Sequence, residues 1–259
     1  MKNNPFDAHN IEHLSASSIN QFISSPCHWL LKISGHRGKS NPAMWRGTVV
    51  DNIISDSFYW TIPKDKKLHH AITQAEIQFE DLFEFNSKKN TYDSLKVTAE
   101  LENIKRYLEV ALPFYSKLGK PKDCQKKIEI EFESIPVPII GYIDLQYEGV
   151  IRDIKTTGRL LKNIPSSICR QLSLYGYAED SVPYADFIHV TKAKAEVVSI
   201  EITDVEKRVS ELKNAAYAMM NVLSYSDDIR TVASLFYPDF DDWRWSEEDI
   251  EAAKNLWSI

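Results

Sequence analysis

The run GYIDLQYEGVIRDIKTT, from Gly141 to Thr157, limits what this chain can fold into more tightly than any other segment. Two apolar-rich runs flank Glu148 and Gly149, and a two-residue connection with glycine suits a β-hairpin turn, because glycine reaches positive φ at little cost. A hairpin fixes its own register. Tyr147 then faces Val150, and counting outward sets Asp144 opposite Asp153 and Tyr142 opposite Lys155. Opposed residues stand roughly 4.5–5.5 Å apart between Cβ atoms, a separation at which two like charges are destabilising. A divalent cation removes that repulsion, and Mg²⁺ commonly takes one or two protein carboxylates together with waters and substrate phosphate. Lys155 lies two residues beyond Asp153 and shares its strand face. An ammonium there can orient an attacking water and stabilise negative charge developing on a phosphate, as metal-assisted phosphodiester hydrolysis requires. The same spacing also fits an ordinary salt-bridged surface of a half-exposed hairpin, since one-sided antiparallel sheets are common.

The hairpin sits in the middle of an ordered alternation. LSASSINQFISSPCHWLLKISG predicts a helix capped by Ser15 or Ser17, interrupted near Pro26 and ended at Gly35. A second helix is expected from about Ala43 to Tyr59. LHHAITQAEIQFEDLFEF and DSLKVTAELENIKRYLEVALPFYSKLG have helical periodicity with no breaker before Pro113. KKIEIEFESI then alternates with period two, and with IIGYIDLQY and GVIRDIKTT it makes three consecutive strands. Asn163 is the expected cap of a helix that begins at Pro165 and runs to about Ala178. ADFIHVTK and AEVVSIEIT are two further strands, followed by a helix from about Asp204 to Ser224 and a capped one from Ser246. The core order is therefore α-β-β-β-α-β-β.

Length and composition exclude several classes. The chain has 259 residues, 43% hydrophobic and 26% charged, with 8 Gly and 11 Pro, which is the profile of a packed globular protein rather than a disordered or repetitive one. The N-terminus lacks a secretory pattern and no stretch of about 18 apolar residues occurs, so the expectation is a cytoplasmic protein, in a bacterial cell or a phage-infected host, with no membrane partner. Cys27, Cys124 and Cys169 are odd in number and form no CxxC pair, so reduced thiols are expected. HExxH, GxSxG and a phosphate-cradling glycine loop are all missing, which removes zinc protease, serine hydrolase and ATP-driven motor chemistry. The net charge of −6 argues against a polyanionic partner only until its distribution is considered. Tyr237 to Glu251 carries seven acids and one base, whereas Ile154 to Ala178 contains Lys155, Arg159, Lys162 and Arg170 and no acid. Lys117 to Lys127 adds five lysines against one aspartate, a run that also suits a solvated face.

GYIDL, then VIRDIKTT, then QLSLYGYA resembles the PD-(D/E)XK nuclease superfamily, specifically its RecB-type exonuclease branch. LSASSINQFISSPCHWLL is similar to that branch's N-terminal segment, and WRGTVVDNII resembles its G-T-x-x-H helix, so the resemblance spans roughly Leu14 to Ala178. It implies an α/β, restriction-endonuclease-like core, a mixed central sheet flanked by helices, with an α-helical N-terminal elaboration. By the same resemblance Asp144 and Asp153 ligate Mg²⁺ or Mn²⁺, with the carbonyl of Ile154 as a third ligand, and Lys155 is the catalytic lysine. Gln171 and Tyr175, four apart on one helix face, position the substrate strand or the active-site groups. Asp51 stands where the pattern has histidine, and a hard oxygen donor there still suits Mg²⁺ or Mn²⁺. Some relatives hold an iron–sulfur cluster through four cysteines; three cysteines cannot supply four ligands, so no cluster is expected.

These readings converge on a metal-dependent DNA nuclease, an exonuclease of recombination or repair and a candidate phage product, with Arg159, Lys162 and Arg170 holding DNA phosphates. Trp29, Trp45, Tyr59 and Trp60 are candidates for stacking bases of single-stranded DNA. The expected organisation is one nuclease domain over 1–259, with a helical insertion at about 60–120 and an acidic aromatic segment at about 232–259. That segment, FYPDFDDWRWSEEDIEAAKNLW, supports an alternative, a DNA- or partner-binding module on a degenerate nuclease fold, with a recombinase or single-strand-binding protein as the partner. A structure-specific endonuclease is the third reading.

Overall fold

The structure is a computed structural model that describes residues 4–159 and 162–259. Its elements run in the order α1 Pro5–Ala8, α2 Ala16–Ser24, α3 Pro26–Ile33, α4 Pro42–Ser57, α5 Lys64–Ser87, α6 Ser94–Leu118, β1 Asp123–Ile130, β2 Ile139–Tyr147 and β3 Val150–Thr157. The chain continues with α7 Ser166–Glu179, β4 Val182–Val190, β5 Ala195–Glu201, α8 Val205–Leu223, α9 Ile229–Ala233 and α10 Glu247–Trp257.

The helix boundaries follow local chemistry. Ser15 and Ser18 form a reciprocal capping box that starts α2, and Ser246 with Asp249 does the same for α10. Proline at the first position of α3 and of α4 removes an N–H that would have had no partner there. α6 continues through Pro113 to Leu118, because Ala111 and Tyr115, on either side of the proline, are buried against the sheet and outweigh the roughly 3 kcal/mol helix penalty. One expectation needs correction: Asn163 does not cap α7. Pro165 occupies that position and no side chain takes the free N–H groups.

The five strands form one sheet in sequence order, β1-β2-β3-β4-β5. Every neighbouring pair is antiparallel except β3 and β4, which run parallel with α7 as the crossover between them. Gly149 closes the β2–β3 hairpin at φ +65°, and Tyr147 pairs with Val150 as the hairpin count requires. Each face of the sheet buries its own core. On one, Ile143, Ile151, Ala185 and Phe187 pack under α7, α8 and α2; on the other, Leu145, Ile154, Ile188 and Val190 pack under α4, α5 and α6.

The second core contains a charged cluster. Asp186, with no exposed surface, accepts bonds from Arg152 Nη1 at 2.9 and 3.1 Å and from Tyr115 Oη at 3.1 Å. Burial first, and the neighbouring Asp186 second, push the Tyr115 phenol well above its usual range. A mixed sheet with helices on both faces, in the order α-β-β-β-α-β-β and preceded by a helical elaboration, is a restriction-endonuclease-like core.

Candidate active site

β2 and β3 stop pairing at Leu145 and Arg152, one residue before the two aspartates. Asp144 and Asp153 are therefore not the directly facing ladder pair that a regular hairpin gives. The Asp144 carboxylate instead turns into the gap and accepts the backbone N–H of Ile154 at 2.7 Å. That bond replaces a lost ladder bond and holds the carboxylate beside Asp153. Both groups are buried, Asp153 to 2% exposure.

Asp51 arrives from α4. Gly47, one turn earlier on the same helix face, leaves only 3.3 Å between a hypothetical Cβ and Thr156 Oγ1, so glycine is what lets α4 run close to β3. Asp51 Oδ2 accepts Gln125 Nε2 at 3.0 Å, whereas its buried Oδ1 has no hydrogen-bond partner. Burial and the Asp153 charge raise its pKa to about 6, against the smaller opposing effects of Gln125 and Lys155. Burial raises the pKa of Asp144 also, followed by Asp153 and Asp51.

Lys155 ion-pairs with Asp153. Burial by itself would lower its pKa, but Asp153 and Asp144 outweigh that and raise it, so the ammonium stays charged. That ion pair is made through Asp153 Oδ2, a buried oxygen with no further hydrogen-bond partner. Three carboxylates face one ammonium, which leaves two negative charges when all are ionised.

α7 covers this group. Gln171 Nε2 donates to Tyr175 Oη at 3.2 Å across one helical turn. Gly141 makes room for the ring, since a Cβ there would stand 2.9 Å from Tyr175 Cζ. Burial raises the Tyr175 pKa, with the bond from Gln171 opposing it and Asp153 adding to it. The phenol thus keeps its proton and has it free to donate.

The structure brings Asp51, Asp144, Asp153, Ile154, Lys155, Gln171 and Tyr175 together. It leaves others apart. Arg159 and Lys162 are exposed beyond the end of β3. The Arg170 guanidinium is engaged by Asn20 Oδ1 at 2.7 Å and Glu211 Oε2 at 3.4 Å. Trp29 and Trp45 are buried in the two cores and have no face for a base. Tyr59 is exposed with Lys120 over its ring, and Trp60 stands edge-on to His70. Gln125 escaped the sequence reading, because within the lysine-rich KPKDCQKK it reads as one more solvated polar residue.

Whether these side chains suit a metal ion rests on the donors. Among the described residues no set of three or more His, Cys, Asp or Glu side chains converges closely enough to enclose an ion. Mg²⁺ does not need such a set, since it usually keeps several waters and binds through one or two carboxylates. Asp51 Oδ1, buried and lacking a partner, is a donor of that kind, and Asp153 Oδ2, whose contact is the Lys155 ammonium, lies in the same acidic group.

A family model described as the PD-(D/E)XK nuclease superfamily matches residues 13–249. No curated protein matches. Among solved structures, one titled a putative exonuclease from Eubacterium rectale aligns over 97% of this chain and 92% of its own, with 14% identity and a TM-score of 0.55. At that identity the likeness is one of fold. A second, titled SSO0001, covers 77% of this chain and 86% of its own at 16% identity, and its TM-score of 0.32 is too low to carry an argument.

Proposed function

From the premise that the chain belongs to the PD-(D/E)XK nuclease superfamily, we propose that it is a Mg²⁺- or Mn²⁺-dependent deoxyribonuclease, an exonuclease of the RecB-type branch without an iron–sulfur cluster, acting in recombination or repair. The observation that carries this reading is a cluster of three buried carboxylates, Asp51, Asp144 and Asp153, around a single ammonium, in which Lys155 pairs with Asp153 Oδ2 and the buried Asp51 Oδ1 has no partner. Leaving a charged oxygen buried without a partner, among more acids than bases, is costly unless something binds there.

Asp51, Asp144, Asp153 and the Ile154 carbonyl would hold the ion, which supplies Lewis acidity toward the scissile phosphate. Lys155, kept charged by its acidic neighbours, orients the attacking water and offsets negative charge on the phosphoryl oxygens. Tyr175 donates its free proton to a phosphate oxygen, and Gln171 fixes its ring. Arg159 and Lys162 hold the backbone of the DNA strand on the way in, an attraction that carries no sequence information. Arg170 is left with the structural task of tying α7 to α2 and α8. The whole chain acts as one nuclease domain in the cytoplasm of a bacterial cell or phage-infected host, with 60–120 as a helical insertion. The 232–259 segment, where Trp243 is 90% exposed, is its surface for a recombinase or single-strand-binding partner.

End-labelled single- and double-stranded DNA incubated with Mg²⁺ or Mn²⁺ tests the assignment. Wild type should shorten the strands from an end, whereas Asp153→Ala and Lys155→Ala each lose about 10²–10³-fold in rate, the usual effect of removing one electrostatic group from an active site. Equal degradation by all three proteins would discard the site. Cleavage of covalently closed circles would make the enzyme an endonuclease.

A further inference from the structure

β1 and β2 turn over at the same point. Cys124 and Leu145 are paired and both face α4, with Cys124 Sγ against Ser55 O at 3.9 Å and Leu145 in the core beneath α4. Lys126 and Ile143, the pair two residues further along, face the other way, with Lys126 bonded to Glu179 of α7 and Ile143 in the core beneath it. In a regular strand, residues two apart share a face. Between these pairs lie Gln125 and Asp144, opposite each other, and Gln125 has φ +52°. It is alone among the described strand residues in holding a left-handed backbone without being glycine; the others sit at helix ends or turns. Such a conformation inside a strand is retained when surrounding structure demands it, and it collects at functional sites.

We propose that Gln125 is a positioning residue of the catalytic site, with two linked tasks. Its left-handed backbone turns β1 and β2 over, which carries Asp144 out of the ladder and toward Asp153. Its side-chain amide, brought round by the same turn, holds Asp51 Oδ2, so that Oδ1 is the oxygen left for an ion. The inference rests on the nuclease reading above and adds to it a group outside the acidic set. A partner that orients a ligating carboxylate commonly changes metal affinity about 10–100-fold when removed.

Gln125→Gly separates the two tasks, because glycine takes the same backbone without strain but has no amide, whereas Gln125→Ala loses both. Thermal melting is measured for wild type, both variants and Asp153→Asn, first in EDTA and then across a Mn²⁺ titration, with DNA degradation alongside. In EDTA, Gln125→Gly melts at or above wild type, by about 2–4 °C, and Gln125→Ala below it. With Mn²⁺, half-maximal stabilisation of Gln125→Gly requires at least about tenfold more ion than wild type, and degradation slows with it. A glycine variant less stable in EDTA, or one matching the wild-type manganese response, overturns the proposal while leaving the nuclease reading intact. A wild type that neither responds to Mn²⁺ nor degrades DNA overturns both.

Discussion

Asp51 carries a charge that its surroundings disfavour, and its titration should be visible in stability. Burial and Asp153 raise its pKa from 3.8 to about 6 in the fold, so the folded protein holds this proton more tightly than the unfolded chain does. Stability contributed by the protonated group is complete below pH 4 and is lost as pH rises through about 6, by up to about 3 kcal/mol. Asp51→Asn has no such proton to release. In EDTA, the variant should therefore gain on wild type between pH 4 and 7 in urea denaturation and stay level above that. Millimolar Mn²⁺ should reverse the order at pH 7.5, because only the carboxylate gains from the ion. Parallel curves for the two proteins across the whole range would contradict the buried, charged state of Asp51.

The contact between β2 and α7 depends on a missing side chain. Gly141 lies directly under the Tyr175 ring, and adding one methyl group forces either the ring or the strand to move. Gly141→Ala should cost about 1–3 kcal/mol in denaturation, as overpacking usually does. It should also slow DNA hydrolysis, since Tyr175 and Gln171 would leave the Asp153–Lys155 group together. Wild-type activity in a destabilised Gly141→Ala protein would mean that Tyr175 packs without taking part. The sequence pattern put Gly141 on a strand and Gln171 and Tyr175 one turn apart on the following helix, where the structure also has them, because strand and helix periodicity are local signals. It could not show that the ladder ends beside the aspartates. That depends on Asp144 finding the Ile154 N–H, a bond made across strands.

Across the whole molecule, cations close in sequence are used for different ends. Arg159 and Lys162 are exposed at the surface, whereas Arg170 joins three helices through Asn20 and Glu211. Binding of a fluorescent oligonucleotide at several salt concentrations should separate them. Arg159→Ala and Lys162→Ala should each lower the slope of log K against log [salt] by about 1 and leave melting unchanged. Arg170→Ala should keep the slope and lose stability. An unaltered slope in the first two would remove them from the DNA path. A charge run reads alike in sequence whether its members meet solvent or one another, and which occurs is settled by the helices that pack around it.

The sequence alone determined the element order, the hairpin turn at Gly149 and the residue types of the site, because turn chemistry, periodicity and capping act over a few neighbouring residues. Tertiary structure decided that α6 continues through Pro113, that Trp29 and Trp45 are core and that β1 and β2 turn over at Gln125 opposite Asp144. Each of those outcomes sets a local preference of a few kcal/mol against contacts between segments far apart in the chain. Such contacts exist only once the sheet and its two cores are assembled.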